Sequence, residues 1–252
     1  MKIDLNCDLG ESFGHFKIGN DDVVIQYVTS VNIACGSHAG DPLVMEKTVK
    51  LALENNVEIG AHPGFPDLFG FGRRNMVISP SEAKAYVIYQ ISALNGFVKA
   101  QGGKMQHVKP HGAFYNMAAK DYHLARAIAE GGYAVDSDLI LMGLAGGELI
   151  RAGKEVGLRT ASEVFSDRAY TLEGTLAPRE IKGAVIHDID AAVNQVQNMV
   201  LNGKVVTIEG GEVELQADSI CVHGDNDEAV ELVKQIRNSL KEANVEVKAL
   251  SK

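Results

Sequence analysis

His107, Lys109 and His111 stand two residues apart in the stretch QHVKPHGAFYN at 106–116, an apparent strand that runs into a loop. In an extended chain such residues share a face, so a strand here would line one surface with two imidazoles and an ammonium. Burying these groups without partners costs several kcal/mol, so a ligand, a metal or a counter-charge should meet them. Other reactive side chains also fall at or near the carboxyl ends of short apolar runs. Asp8 follows KIDLNC, His38 lies just beyond SVNIAC, His62 follows VEIGA, and His223 follows SICV. Glu163, Asp167 and Arg168 share the stretch EVFSDRAY. Arg73 and Arg74 sit in a long loop of aromatics and glycines, HPGFPDLFGFGRRN, where two guanidinium groups suit a carboxylate or a phosphate.

Some of these residues have a competing local role. Asp41 precedes Pro42 at a helix start and reads as a cap, and Asp225 with Glu228 fits a capping box at least as well as it fits chemistry. His123 and His187 lie away from strand ends, and His15 reads either way. Asp8, His62, Lys109 and His111 have no such local explanation.

The elements that must position them follow from periodicity. Residues 2–8 alternate Ile3, Leu5 and Cys7 with Asp4, Asn6 and Asp8, the period of a strand with one apolar and one polar face. Further strands are expected over 30–34, 57–61, 104–109, 139–143, 159–164 and 219–222. Helices are expected over 42–55, from the capping box Ser79, Pro80, Glu82 toward Gly102, and over 120–130, 147–157, 188–202 and 226–243. Residues 204–216 read as a hairpin turning at Gly210 and Gly211. Strand and helix thus alternate about seven times. That order predicts an α/β fold, a (β/α) barrel of about seven parallel strands in a single domain over 1–252, with a doubly wound open sheet as the competing architecture. In a parallel barrel all strand carboxyl ends meet on one face, which would gather the scattered histidines and acids into one site.

With 24 Lys and Arg against 33 Asp and Glu, the chain carries a net charge of −9 and no basic stripe, which argues against nucleic acid or an anionic membrane as partner. No run of about 18 apolar residues and no secretory leader is present in the sequence, so a cytoplasmic protein is expected. Cys7, Cys35 and Cys221 lack CxxC spacing and read as buried free thiols.

The motifs DLNCDLGESFG, VNIACGSHAGDP, IGAHPGFPDLFGFGRR, VKPHGAFYN, EVFSDRAY and ICVHGD run through the whole chain in order, and the sequence resembles the LamB/YcsF family. The resemblance implies a barrel of the glycoside hydrolase/deacetylase type. It further implies ATP-dependent hydrolytic opening of 5-oxoproline to glutamate, with two further 5-oxoprolinase subunits as partners. ATP would be a co-substrate handled largely by those partners, since GxxxxGK[ST] is absent here. On that reading Asp8 or Glu11 acts as general base, and His62 or His111 as proton donor. Lys109, with Arg73 or Arg168, holds a carboxylate, oxyanion or phosphate. Asn6, Arg73, His107, Glu163, Arg168 and His223 form the expected substrate-binding set.

Two alternatives stand beside it. One is a stand-alone metal-dependent hydrolase with Asp8, His38 and His62 as ligands, because the related deacetylases hold a divalent ion with an Asp and two His. Asp41 falls near where their second His would stand, so the expectation is a site without metal. The other is a non-enzymatic binding protein for a small acid.

Overall fold

A computed structural model describes residues 1–223 and 227–251; the candidate cap Asp225 lies outside them. Seven parallel strands close on themselves: β1 (Lys2–Leu9), β2 (Ser30–Ala34), β3 (Glu58–His62), β4 (Met105–Val108), β5 (Ile140–Leu144), β6 (Arg159–Phe165) and, after a hairpin of β7 (Lys204–Val206) and β8 (Glu212–Glu214), β9 (Ser219–Val222). Closure comes from β9, which pairs with β6 on one side and with β1 on the other. The barrel is therefore the architecture, and the open sheet is excluded. A last short strand, β10 (Glu246–Val247), adds to the outer start of β1.

The period-2 pattern of β1 becomes two environments. Ile3, Leu5, Cys7 and Leu9 are buried on the side that packs into the surrounding apolar core, while inside the barrel Asp4 and Asn6 bond Ser30 and Asn32 of neighbouring β2 and Asp8 meets Lys109. At the lower end the interior is apolar: Ile140, Met142 and Ala161 pack with Leu250 of the carboxyl-terminal segment. Polar side chains line much of the remaining interior, from Asp4, Ser30 and Ser219 near the strand starts upward.

Outside the barrel lie α1 (Asp21–Val24), α2 (Pro42–Glu54), α3 (Pro80–Ala100), α4 (Gly112–Ala118), α5 (Tyr122–Val135), α6 (Glu148–Val156), α7 (Ile189–Asn202) and α8 (Asp227–Glu242). Asp41 caps α2 by accepting from the amides of Leu43 and Val44, and Ser79 and Glu82 form the expected reciprocal capping box on α3. No helix among the described residues is long and apolar enough to cross a membrane.

Two expectations need correction. β4 stops at Val108, so Lys109 and His111 lie just beyond the strand rather than on it, although both amides still donate toward the β3 side, at Ala61 and Pro63. Pro110 has no N–H for the ladder, and His111, still extended, becomes the residue before α4. Residues 112–118, expected as a loop, are that helix, and the following helix starts at Tyr122 and runs five residues past the expected 130 to Val135.

Candidate active site

The upper interior is organised around one ammonium. Lys109 Nζ lies 2.6 Å from Glu163 Oε1, 3.0 Å from Asp8 Oδ1 and 3.1 Å from Asn6 Oδ1, with Cys221 Sγ at 3.3 Å. Burial works to lower its pKa, but the carboxylates of Asp8 and Glu163 outweigh it and hold the group well above the ordinary lysine range. The partners of Lys109 are themselves fixed. Asn6 donates to Glu163 Oε1 at 3.0 Å and to Ser219 Oγ at 2.8 Å, and its oxygen accepts from Asn32 at 2.7 Å as well as from Lys109. Every hydrogen-bonding position of the Asn6 amide is thereby used. Asn32 donates also to Asp8 Oδ1 at 2.8 Å, and its own oxygen lies 2.7 Å from His107 Nε2. Tyr115 donates its hydroxyl to Glu163 Oε2 at 2.7 Å. Burial, reinforced by the charge of Lys109, takes His107 down to about 3, so its ring is neutral.

With Oδ1 of Asp8 held by Lys109 and Asn32, Oδ2 faces His62 Nε2 at 3.3 Å. Burial tends to raise the Asp8 pKa, yet His62 and Lys109 prevail and keep it well below the usual carboxylate value. Asp8 is therefore an ionised carboxylate that borders the cavity.

A second group sits at the rim. His62 Nδ1 is 2.7 Å from the carbonyl oxygen of Lys109, and His111 Nε2 is 2.8 Å from that of Phe71. The other nitrogens, His62 Nε2 and His111 Nδ1, face each other at 3.0 Å. His38 stacks on His111 with ring centroids 3.7 Å apart and planes within 2°. Its Nε2 lies 3.5 Å from Glu11 Oε1, which is also 3.6 Å from His111 Nδ1. Burial, then the charges of neighbouring imidazoles, push His38 and His111 well below the ordinary histidine value. Loop geometry brings these rings together: Gly72 adopts φ +61°, and a Cβ on it would stand 2.7 Å from the His38 side chain and 2.9 Å from that of His111.

Both groups border a cavity of about 990 Å³ at the carboxyl ends of the strands, lined among others by Asp8, His62, Arg73, Lys109, His111 and His223. The expected site residues converge there, but not all in the same way. Asn6, His107 and Glu163 are fully buried in the interior network rather than along the cavity wall. Arg168 reaches the wall, yet its guanidinium donates to the carbonyls of Ala177 and Ala184 and so fastens the loop over 166–188; burial, with Arg179 nearby, lowers it to about 10. His223 pairs with Asp167 at 2.8 Å. Arg73 is exposed with its guanidinium 5.0 Å from the Phe71 ring centre, whereas Arg74 forms an ion pair with Asp67. His38 and His62 group with Glu11 and His111 rather than with Asp8 alone, so the ligand atoms that converge differ from the expected Asp8, His38 and His62 set.

Sequence reasoning missed Asn32, Tyr115 and Ser219, each bonded to the residues around Lys109. A usable signal existed for two of them. Ser30 and Asn32 alternate with Val31 and Ile33 as Asn6 and Asp8 alternate with Cys7 and Leu9, and Ser219 and Cys221 alternate with Ile220 and Val222.

A protein of Bacillus subtilis named as a 5-oxoprolinase subunit is 59% identical over 251 residues, covering 100% of this chain and 98% of that one. One of the same name from Pyrococcus furiosus is 55% identical and covers 98% and 97%. A crystal structure of a lactam utilization protein from Thermus thermophilus superposes with a TM-score of 0.93 at 46% identity, covering 99% of this chain and all of that one. A peptidoglycan deacetylase catalytic domain from Eubacterium rectale, at 13% identity and a TM-score of 0.51 over 99% and 88% of the two chains, shares the fold alone. The LamB/YcsF family model matches residues 3–252, and the chain belongs to that family.

Proposed function

We propose that this chain is one component of an ATP-dependent 5-oxoprolinase, opening the lactam of 5-oxoproline to glutamate together with two partner subunits. The observation that carries the reading is the Asp8 and Lys109 pair: an ionised carboxylate and a charged ammonium, fixed by Asn6, Asn32 and Glu163, meet at the floor of an open cavity. The names of the relatives and of the lactam utilization protein support the substrate class.

Hydrolysis of a lactam adds water to the carbonyl carbon and breaks the bond to nitrogen. Asp8 Oδ2 takes a proton from the attacking water, and the same carboxyl returns it to the departing nitrogen. The imidazoles of His62 and His111 are less suited to that delivery, because the nitrogens not directed at backbone carbonyls, His62 Nε2 and His111 Nδ1, face each other at 3.0 Å. Lys109 stabilises negative charge that develops on the carbonyl oxygen or on a phosphate attached to it. Arg73, exposed at the cavity wall, meets the substrate carboxylate. A five-membered lactam is a poor electrophile, so transfer of a phosphoryl group from ATP to the lactam oxygen, with ADP leaving, precedes the attack. Loss of the nitrogen then leaves an acyl phosphate, which a second water cleaves to glutamate and phosphate. With no GxxxxGK[ST] sequence in this chain, the phosphoryl transfer belongs to the partners. A cavity of about 990 Å³ is at the upper end of small-ligand sites and has room for an activated, phosphorylated lactam.

The test is reconstitution of the three components with 5-oxoproline and ATP, leaving out one at a time. Glutamate should form only when this chain is present. Undiminished glutamate formation without it would contradict the assignment.

A further inference from the structure

We infer that Glu11, His38, His62 and His111 form a binding site for one divalent transition-metal ion of the zinc type, directly beside the Asp8 and Lys109 pair, with Asp8 Oδ2 3.3 Å from His62 Nε2. Their ligand atoms lie within 4.8 Å of one another. Three of the six pairwise separations already come close to those of a shared ion. Bonds of about 2.0–2.1 Å in tetrahedral array put neighbouring ligand atoms roughly 3.3–3.4 Å apart. The structure has 3.0 Å between His62 Nε2 and His111 Nδ1, 3.5 Å between His38 Nε2 and Glu11 Oε1, and 3.6 Å between His111 Nδ1 and Glu11 Oε1.

Hydrogen bonding supplies an independent argument. A neutral imidazole has a single N–H. His62 directs Nδ1 at the Lys109 carbonyl and His111 directs Nε2 at the Phe71 carbonyl, oxygens that can only accept. With those protons placed, the two remaining nitrogens confront each other as lone pairs at 3.0 Å. Such a contact calls for a cation, either an extra proton on one ring or a metal ion. Backbone carbonyls that fix the tautomer and aim the opposite nitrogen are the usual outer support of metal-bound histidine.

His38 decides between the two. It is 1% exposed, and neither ring nitrogen makes a hydrogen bond. A proton shared by His62 and His111 would leave both its nitrogens unserved, whereas an ion bonded to Nε2 engages that nitrogen together with the ligand atoms of the other three residues. Three imidazoles and one carboxylate are a donor set suited to zinc, cobalt or nickel rather than to calcium or magnesium. The other acid, thiol and imidazole grouping, Asp8, Cys221 and His223, has the Lys109 ammonium against two of its members and so already holds its cation.

The full chain, stripped with a chelator and dialysed, is titrated with Zn²⁺ by calorimetry and with Co²⁺ by visible spectroscopy, without substrate or partners. One equivalent should bind with a dissociation constant below about 1 μM, and cobalt should give the intense visible bands of a low-coordinate site. His38→Ala and the near-isosteric Glu11→Gln should each weaken binding by about 100-fold or more, while Asp8→Asn retains one equivalent. Circular dichroism confirms that each variant is folded, and zinc should raise the melting temperature of the parent but not of Glu11→Gln. Absence of stoichiometric binding to the folded parent overturns the inference, as does equal binding by His38→Ala and Glu11→Gln. Because no lactam enters the measurement, its outcome is independent of the 5-oxoprolinase reading.

Discussion

The barrel floor and the barrel rim treat similar side chains in opposite ways. Around Lys109 the polar groups interlock: Asn6 uses both donors and both acceptor positions, and Asn32 ties it to Asp8 and His107. At the rim, His62 and His111 aim nitrogens at each other, and His38 makes no hydrogen bond at all. Buried polar groups are costly when unmatched: the floor leaves only His107 Nδ1 without a hydrogen bond, whereas the rim leaves both nitrogens of His38 so and is arranged for something that arrives later. The floor fixes the geometry of Asp8; the rim waits for a ligand.

The contrast is broken most severely by Lys109→Met. It leaves the carboxylates of Asp8 and Glu163 buried without their shared counter-charge, and should cost about 3–5 kcal/mol in urea unfolding. His38→Ala, at the rim, removes no hydrogen bond and should cost clearly less in the same measurement. An equal loss for both would erase the distinction between floor and rim. Asn32→Leu strips Asp8 and Asn6 of a donor and His107 of its acceptor. It should destabilise by about 2–3 kcal/mol and lower kcat for glutamate formation more than it changes KM, since the cavity wall stays intact.

Gly60→Ala sharpens the same comparison from the backbone side. A Cβ there would stand 2.1 Å from His107 Nε2, so the ring must shift and its bond to Asn32 with it. The expected loss is about 1–3 kcal/mol by thermal or urea unfolding. The smallest effect concerns Asp21, which accepts from the amide of Gly10 beside Glu11. Burial, against the help of that hydrogen bond, raises it from 3.8 to about 6. Between about pH 4 and pH 6 the folded chain retains a proton that the unfolded chain has released, so this group's contribution makes stability fall as pH rises through that window. Asp21 keeps contact with solvent, which leaves roughly 1 kcal/mol of the effect. Asp21→Asn should flatten that slope in melting temperatures recorded from pH 4 to pH 7.

Much of this was legible in the sequence because burial in a barrel imposes period 2 on strands and period 3.6 on helices. Asp4, Asn6 and Asp8 announce an inward polar face on β1, and Ser79 with Glu82 announces α3. Closure was not legible, since it depends on β9 meeting β1 across more than 200 residues of chain. Strand β10 is two residues long and offers no period. The helix at Gly112–Ala118 lacks a capping side chain and is held by its surroundings, Phe114 in the core and Tyr115 on Glu163. His111 fits the alternation of His107 and Lys109 by count, and only the missing amide of Pro110 reveals that the strand has ended. The stack of His38 on His111 joins residues 73 apart in the chain across Gly72, which no local pattern encodes.

The role of the floor is tested most directly by glutamate formation from 5-oxoproline and ATP in the reconstituted three-component system, with Asp8→Asn in place of the parent chain. Asparagine preserves the shape and the acceptor toward Lys109 but cannot take a proton from water, so the rate should fall by about 10²–10⁴ with the variant folded. Glutamate formation at the parental rate would contradict the placement of the reaction at Asp8.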